Sequence, residues 1–243
     1  MDSLANPVLS NSATRRFADS EKSTTMTKSG SLIKTAISLF ILIAAAIAGW
    51  AYFDKIGTGS STGVLIGLAI ITPIIGIVTA FRPSAPLVLL YALLEGFLIG
   101  IFSRFFDEAY SGIVVMAVTL TIAITLATFA LYALGAIKIT DKVRSVILIA
   151  TFGALVFYLI EFFLSIFLPG FALAVSSGSL GVGIAVIIVI IAALNLLLDF
   201  DFITRGSQQG LDKKAEWYAA FGLMVTLIWL YISVLRLLAV SRR

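Results

Sequence analysis

The sequence contains no cysteine and no histidine among its 243 residues. Without cysteine, disulfides, thiolate nucleophiles and thiolate metal sites are excluded. Without histidine, the chain lacks the usual near-neutral general base and the commonest transition-metal ligand, so histidine-dependent hydrolysis is excluded as well. The carboxylates that remain suit protons or hard cations such as Ca²⁺. We therefore expect no bound cofactor and no enzymatic activity.

Charge is also scarce, because Asp, Glu, Lys and Arg make up 12% of the chain, against about 25% in soluble domains. Hydrophobic residues make up 60%, and the mean hydropathy is +1.10. These values predict an integral protein of the lipid bilayer. The net charge of +4 does not indicate nucleic-acid binding, because in a membrane protein the distribution of Lys and Arg is the informative quantity.

Seven long apolar runs predict an all-α fold, with seven membrane-spanning helices in one compact bundle over residues 32–243. Residues 1–31 are polar and are expected to form a flexible cytoplasmic tail. Pro73 is expected to kink the second span. The predicted spans are Leu32–Phe53, Gly63–Phe81, Ala85–Phe106, Gly112–Leu134, Val146–Leu168, Leu180–Phe202 and Trp217–Leu238.

Lys and Arg are distributed unevenly between the two sides of this bundle. Twelve lie on the side of the N-terminal tail and five on the other side. The positive-inside rule therefore predicts a cytoplasmic N-terminus and an outside C-terminus.

Acidic residues inside the apolar runs are costly, roughly 2.5–3.5 kcal/mol each on insertion scales, so they are the candidates for function. Glu95 lies near the middle of the third span and Glu161 in the outer half of the fifth. Each is either part of an ion pathway or a structural hydrogen-bonding group between helices. Gly96 and Gly100 follow Glu95 at a spacing that allows close helix approach.

The sixth span carries its polar residues in two directions. Asn195 and Asp199 are four residues apart and share a face, whereas Asp201 points about 200° away from Asp199. We expect Asp199 to face the interior, opposite Arg82 at the same depth. Asp201 is expected to pair with Arg205, one turn further on, at the cytoplasmic rim.

Six residues are the candidates for an ion pathway or gate: Asp199, Glu95, Arg82, Asp201, Glu161 and Asn195. Two of them, Asp199 and Glu95, are also the candidate Ca²⁺ ligands.

Four segments carry a family resemblance: LLYALLEGFLIGIFS in the third span, LLLDFDFI ending the sixth, EWYAAFGL beginning the seventh and SVLRLL ending it. Together they resemble the Bax inhibitor family, the transmembrane Bax inhibitor motif proteins, and most closely its bacterial branch with a polar N-terminal tail. The resemblance covers about residues 32–240. It implies six helices around a central one, in a bacterial cytoplasmic membrane.

The resemblance also implies a chemistry, since some members are pH-sensitive Ca²⁺ leak channels. Their sensor pairs an aspartate near the inner end of span six with one in span seven, across from an arginine of span two. Asp199 and Arg82 match the first aspartate and the arginine. Ile228 or a neighbour stands where the second aspartate is expected, and Asp201 or Glu216 is the candidate to replace it.

The missing acid has a consequence for pH dependence. A lone Asp199 beside Arg82 would stay ionised between about pH 6 and 8, so any flux should depend only weakly on pH in that range.

Two functions are therefore expected as alternatives. The first is mediating or modulating a leak of cations, Ca²⁺ in particular, tuned by protons on acidic residues of the bundle. The second is a non-transporting regulator that binds another membrane protein, such as a membrane protease. A polar tunnel containing Glu95 would favour the first function, and a dry, packed interior would favour the second.

An intramembrane aspartyl protease is disfavoured, because the two acids of such an enzyme must lie on facing helices, whereas Asp199 and Asp201 lie on the same helix.

Overall fold

Seven helices, each long and apolar enough to cross a membrane, make up most of the residues that the computed structural model describes, which are 25–167 and 178–242. The predicted all-α fold with seven spans is confirmed. The helices are α1 (Lys28–Ile56), α2 (Thr58–Phe81), α3 (Ala85–Ala109), α4 (Ile113–Ala133), α5 (Asp141–Phe167), α6 (Gly178–Gln208) and α7 (Ala215–Ser241).

Several helices extend beyond the predicted spans. α1 begins at Lys28 because the Thr27 hydroxyl accepts a hydrogen bond from Gly30 N (3.0 Å) and caps the helix. α5 begins at Asp141 and α6 continues to Gln208, both through polar sequence. Hydropathy measures the apolar length of a span, whereas backbone hydrogen bonding continues into the interface. The predicted end of the fifth span at Leu168 lies outside the described residues.

Short connections fix which helices are neighbours. Gly57, with φ of 80°, turns the chain between α1 and α2 in a conformation that favours glycine. Arg82, Pro83 and Ser84 join α2 to α3, and these two helices pack against each other as their short connection predicts. Pro73 lies inside α2, which remains one continuous helix around it.

α7 is the central helix of the bundle. It packs against α1, α2, α3, α4 and α6, and an ion pair connects it to α5. It is also the most buried of the seven helices. The arrangement of six helices around a central one, implied by the family resemblance, is therefore present. Two apolar clusters hold α7 in place, one shared with α4 and α6 and one shared with α1 and α3.

The two ends of the bundle differ in chemistry. We call the end that holds the beginning of α1 and of α7 the N-side, and the opposite end the C-side. The N-side carries the connections between α2 and α3, α4 and α5, and α6 and α7, which are rich in Lys and Arg.

On the N-side, residues before α1 pack against the connection between α6 and α7. Met26 N donates a hydrogen bond to Leu211 O (2.6 Å), and Thr25 forms an antiparallel bridge with Asp212. The Met26 side chain is 2% exposed and lies against Gly206 and Leu211. The predicted flexible tail thus has an ordered end at Thr25, and the residues before it lie outside the described ranges.

A buried carboxylate completes this contact. Glu216, which is 1% exposed, accepts hydrogen bonds from Thr27 N and Thr27 Oγ1 (both 2.9 Å) and from Lys34 Nζ (2.6 Å). The Lys34 ammonium also lies 5.1 Å from the ring centre of Trp217. We call Thr25, Met26, Thr27, Lys34 and Glu216 the N-terminal clasp, because they bind the start of α1 to the start of α7.

Candidate functional site

Asp199 faces the central helix, as its position in the sequence predicts. On α7, Thr226 is its side-chain hydrogen-bonding neighbour, and Gly222 leaves space for its carboxylate. The Oδ2 atom is buried and has no hydrogen-bond partner among the described residues. A buried carboxylate oxygen without a partner is costly, so this position calls for an explanation beyond packing.

A cavity of about 430 Å³ surrounds this carboxylate, between the N-side halves of α5, α6 and α7. We call it the Asp199 cavity. Asn195 lines it one turn from Asp199, which confirms that the two share a face, and Asn195 Nδ2 donates to Thr151 Oγ1 (2.7 Å). The cavity is polar on one side, through Arg144, Asn195, Asp199, Tyr218 and Thr226.

Asp201 has a different environment, although it is only two residues away. Its side chain is 7% exposed and bonds to Arg144 Nη2 (2.8 Å) and Arg205 Nε (2.9 Å). Arg205 also donates to the backbone carbonyl of Ile139. The predicted pair with Arg205 is confirmed. The Arg144 contact was missed, because the spacing within one helix does not reveal a partner on another.

The predicted ion pair between Asp199 and Arg82 is not formed. Arg82 is exposed just beyond the end of α2 and makes no ion pair among the described residues. Arg144 of α5 lines the Asp199 cavity instead. The direction of the side chain decides between the two arginines, because Arg144 reaches Asp201 and the cavity, whereas Arg82 is exposed.

Glu95 lies half-buried on α3 and hydrogen-bonds with the Tyr91 hydroxyl, one turn earlier on the same helix. The Tyr91 ring packs edge-on against Phe221 of α7, with ring centres 5.1 Å apart. Phe221 also lines the Asp199 cavity. This aromatic side chain therefore lies between the two carboxylate sites.

Glu95 does not line the Asp199 cavity. The described residues also contain no group of three or more acidic side chains able to hold a metal ion. Ca²⁺ takes six to eight oxygen ligands, so a site at Asp199 or Glu95 would need further oxygen atoms, and their role as Ca²⁺ ligands stays a prediction. Each remains a candidate for contact with a passing cation.

Glu161 has a basic partner. Its Oε1 lies 2.5 Å from Arg236 Nη2, and the Arg236 guanidinium lies 5.4 Å from the ring centre of Tyr158. This ion pair connects α5 to α7 towards the C-side. The contact matches the structural alternative for Glu161, a group that bonds to a neighbouring helix.

Among the described side chains, no acidic residue next to Asp199 replaces the second aspartate that the family resemblance implies. Ile228 is 8% exposed and belongs to the apolar cluster of α1, α3 and α7. Asp201 is bound by two arginines, and Glu216 is bound in the N-terminal clasp. Asp199 is the only acidic residue among the described side chains that line its cavity.

Comparison with known proteins identifies the family of the chain. No curated protein was found to match it. The family described as Bax inhibitor 1 like matches residues 6–243, which is nearly the full length. With seven helices able to span the bilayer and a central α7, the chain belongs to the Bax inhibitor 1 like family of multi-span membrane proteins.

Proposed function

We propose that this protein mediates a leak of cations, Ca²⁺ in particular, across a bacterial cytoplasmic membrane, and that it has no enzymatic activity. The observation that carries the proposal is the buried Oδ2 of Asp199, which has no partner among the described residues and lies in a cavity of about 430 Å³. An ionisable residue inside a span is by default a functional group, and ion pathways are among the functions that such residues mark. The N-terminus is cytoplasmic in this proposal, so the Asp199 cavity lies at the cytoplasmic end.

The side chains around Asp199 suit a hard cation in transit. Asn195, Tyr218 and Thr226 add oxygen atoms to the lining, and oxygen ligands are preferred by Ca²⁺. Arg144 is already engaged by Asp201, which leaves the Asp199 charge without a fixed counter-ion. A cation that moves from Asp199 towards Glu95 has to pass Phe221, and we propose that this side chain forms the narrow point between the two carboxylates.

Asp199→Asn is expected to lower Ca²⁺ flux into proteoliposomes by about tenfold, equivalent to about 1.4 kcal/mol. The amide keeps the size of the side chain and removes its charge. Asp141→Asn is the matched control, since Asp141 is exposed in the first turn of α5, and its flux should equal that of the wild type. Equal flux through wild type and Asp199→Asn would remove Asp199 from the pathway.

Proton tuning is tested in the same experiment at about pH 6 and about pH 8. The expectation of a weak pH dependence required Arg82 beside Asp199, and that contact is absent. Protonation of Asp199 removes the same charge as the asparagine does. The flux of the wild type should therefore change between the two pH values, and that of Asp199→Asn should not. A pH dependence that survives the substitution would assign the tuning to another group, such as Glu95.

Glu95→Gln is expected to preserve folding and to change cation flux by roughly fivefold, a difference of about 1 kcal/mol. Glutamine keeps the hydrogen bond with Tyr91 and loses the charge. Tyr91→Phe is the matched variant, because it removes the hydroxyl and keeps the carboxylate. Flux that changes in Glu95→Gln alone supports a pathway role, and an effect confined to Tyr91→Phe would assign Glu95 to helix packing.

The second candidate, a non-transporting regulator of another membrane protein, has two observations in its favour. Glu95 does not line the Asp199 cavity, so no polar tunnel that contains Glu95 is seen among the described residues. Apolar Ile228 stands where the family's second aspartate is expected, and it belongs to a packed apolar cluster. Flux equal to that of empty liposomes at both pH values, from protein of normal stability, would favour this function over the leak.

A further inference from the structure

A groove runs between α1 and α4 on the side of the bundle away from the Asp199 cavity. These two helices make no contact with each other in the described parts of the chain, and α3 and α7 form the floor between them. The groove has a volume of about 600 Å³ and an almost entirely apolar lining. We call it the α1–α4 groove. Its walls include Ile43 and Ile47 on α1 and Val118 on α4, all of which are exposed on the outer surface of the bundle.

The groove has the dimensions of a site for one acyl chain. From Leu39 to Asp54 it follows α1 for about 22 Å, at about 1.5 Å per residue. One leaflet contributes about 15 Å of the roughly 30 Å hydrocarbon core, so the groove is long enough for an acyl chain that crosses one leaflet. The volume is within the range of about 300–1,000 Å³ typical of small-molecule sites. An apolar space of this kind does not hold water, and in a bilayer the molecules that can fill it are lipid chains.

The C-side end of the groove is polar and charged. Asp54 lines it, and its Oδ1 lies 2.6 Å from Arg104 Nε. The Arg104 guanidinium also lies 5.5 Å from the ring centre of Trp50, another lining residue. Arg104 donates from Nε to Asp54, which is its only hydrogen-bond acceptor among the described residues. The two terminal nitrogens of the guanidinium, Nη1 and Nη2, are therefore available to a phosphate.

The charges at this end select the kind of headgroup. Asp107 and Glu108 lie close enough to Arg104 to act on its charge, in addition to Asp54. The other bases near this end are Lys55 of α1 and Arg242, which lies against Ser111 and Met116 at the start of α4, so three bases and three carboxylates balance there. A headgroup that carries an ammonium as well as a phosphate is complementary to this arrangement, and a purely anionic one is not.

We propose that the α1–α4 groove binds one zwitterionic phospholipid of the C-side leaflet, with an acyl chain between α1 and α4, its phosphate at Arg104 and its ammonium beside Asp54. The Ser103 hydroxyl and the Tyr231 hydroxyl, 2.7 Å apart, add a polar point on the groove floor near the headgroup end. The site is separate from the Asp199 cavity and does not depend on the protein conducting ions.

The test uses the full chain in nanodiscs of equal parts phosphatidylethanolamine and phosphatidylglycerol, extracted in mild detergent and analysed by native mass spectrometry. The wild type should retain one phosphatidylethanolamine per chain. Val118→Trp fills the groove and should lose the lipid. Leu120→Trp is the matched control, because Leu120 is equally exposed (40% against 42%) on another face of α4, and it should retain the lipid.

Two further variants test the headgroup. Arg104→Gln should keep one lipid and lose the preference between the two headgroups, whereas Lys55→Gln should keep the preference. Thermal unfolding of each variant checks that it is folded. No retained lipid in the wild type, equal retention in Val118→Trp, or the mass of a second chain in place of the lipid would overturn the proposal. A preference for phosphatidylglycerol would overturn the assignment of the headgroup.

Discussion

Gly100→Ala is expected to destabilise the bundle by about 2 kcal/mol or more, although it adds only one methyl group. A Cβ at this position would overlap the Ala46 carbonyl oxygen and lie 2.8 Å from the Ala46 carbonyl carbon. These atoms belong to the backbone of α1, so no side-chain rotation can relieve the contact. The only way to accommodate the methyl group is to move α1 and α3 apart.

The same interface repeats this close approach at two other points. A Cβ on Gly96 would overlap the Leu42 carbonyl, and one on Gly49 would overlap the Phe97 carbonyl. In a bilayer such contacts are a main source of helix association, because lipid removes most of the hydrophobic driving force. Separation of α1 and α3 would therefore weaken these backbone contacts, and it would also strain the ion pair between Asp54 and Arg104 that connects the same two helices.

Gly153→Ala is the matched control, since nothing lies within 4 Å of a Cβ added to this exposed glycine of α5. It should be neutral or stabilising, by up to about 1 kcal/mol from helix propensity. Loss of helical circular dichroism on heating, in one detergent for all variants, measures both effects. Equal unfolding midpoints for Gly100→Ala and Gly153→Ala would show that α1 and α3 adjust without cost.

The sequence predicted the spans well because the cost of exposing polar groups to hydrocarbon acts on every residue of a span. It also predicted the close approach at Gly96 and Gly100 of α3, because their spacing of four residues is a local feature of the sequence. It could not reveal that α1 is the partner of α3, or that Gly49 contributes from the other side. Such contacts depend on how helices far apart in sequence are oriented.

The polar residues illustrate the same limit. The direction of Asp199 and its shared face with Asn195 follow from helical periodicity, and both line one cavity. The pairing of Asp201 with Arg205 follows from a spacing of four residues. Arg82 and Arg144 both lie near the N-side ends of their helices, and nothing in a single sequence distinguishes the arginine that enters the bundle from the one that is exposed.

The N-terminal clasp was missed in the sequence for a different reason. By composition, residues 1–31 form one polar tail, and a single apolar residue such as Met26 is too short a signal to predict an ordered contact. In the structure Met26 is 2% exposed, and Lys34 of α1 reaches Glu216 at the start of α7. A local apolar residue and a distant ion pair together order the end of the tail.

Lys34→Met is expected to destabilise the protein by about 3 kcal/mol, because it leaves the carboxylate of Glu216 buried without its cation. Glu216 is 1% exposed and would keep only the two hydrogen bonds from Thr27. Methionine retains most of the apolar stem of lysine, so the loss is chiefly electrostatic. Lys28→Met is the matched control, because Lys28 is exposed, and it should be neutral.

The double variant Lys34→Met with Glu216→Gln separates charge from packing. Glutamine can still accept hydrogen bonds from Thr27, and no buried charge remains, so the double variant should recover more than half of the lost stability.

Trypsin cleavage at Lys28 reports on the clasp itself and should be fastest in Lys34→Met, because the start of α1 is then released from α7. If the double variant is no more stable than Lys34→Met, the clasp is held by packing around Met26 and not by the ion pair. Recovery in the double variant would show that one buried charge pair anchors the beginning of the central helix, against which five of the other six helices pack.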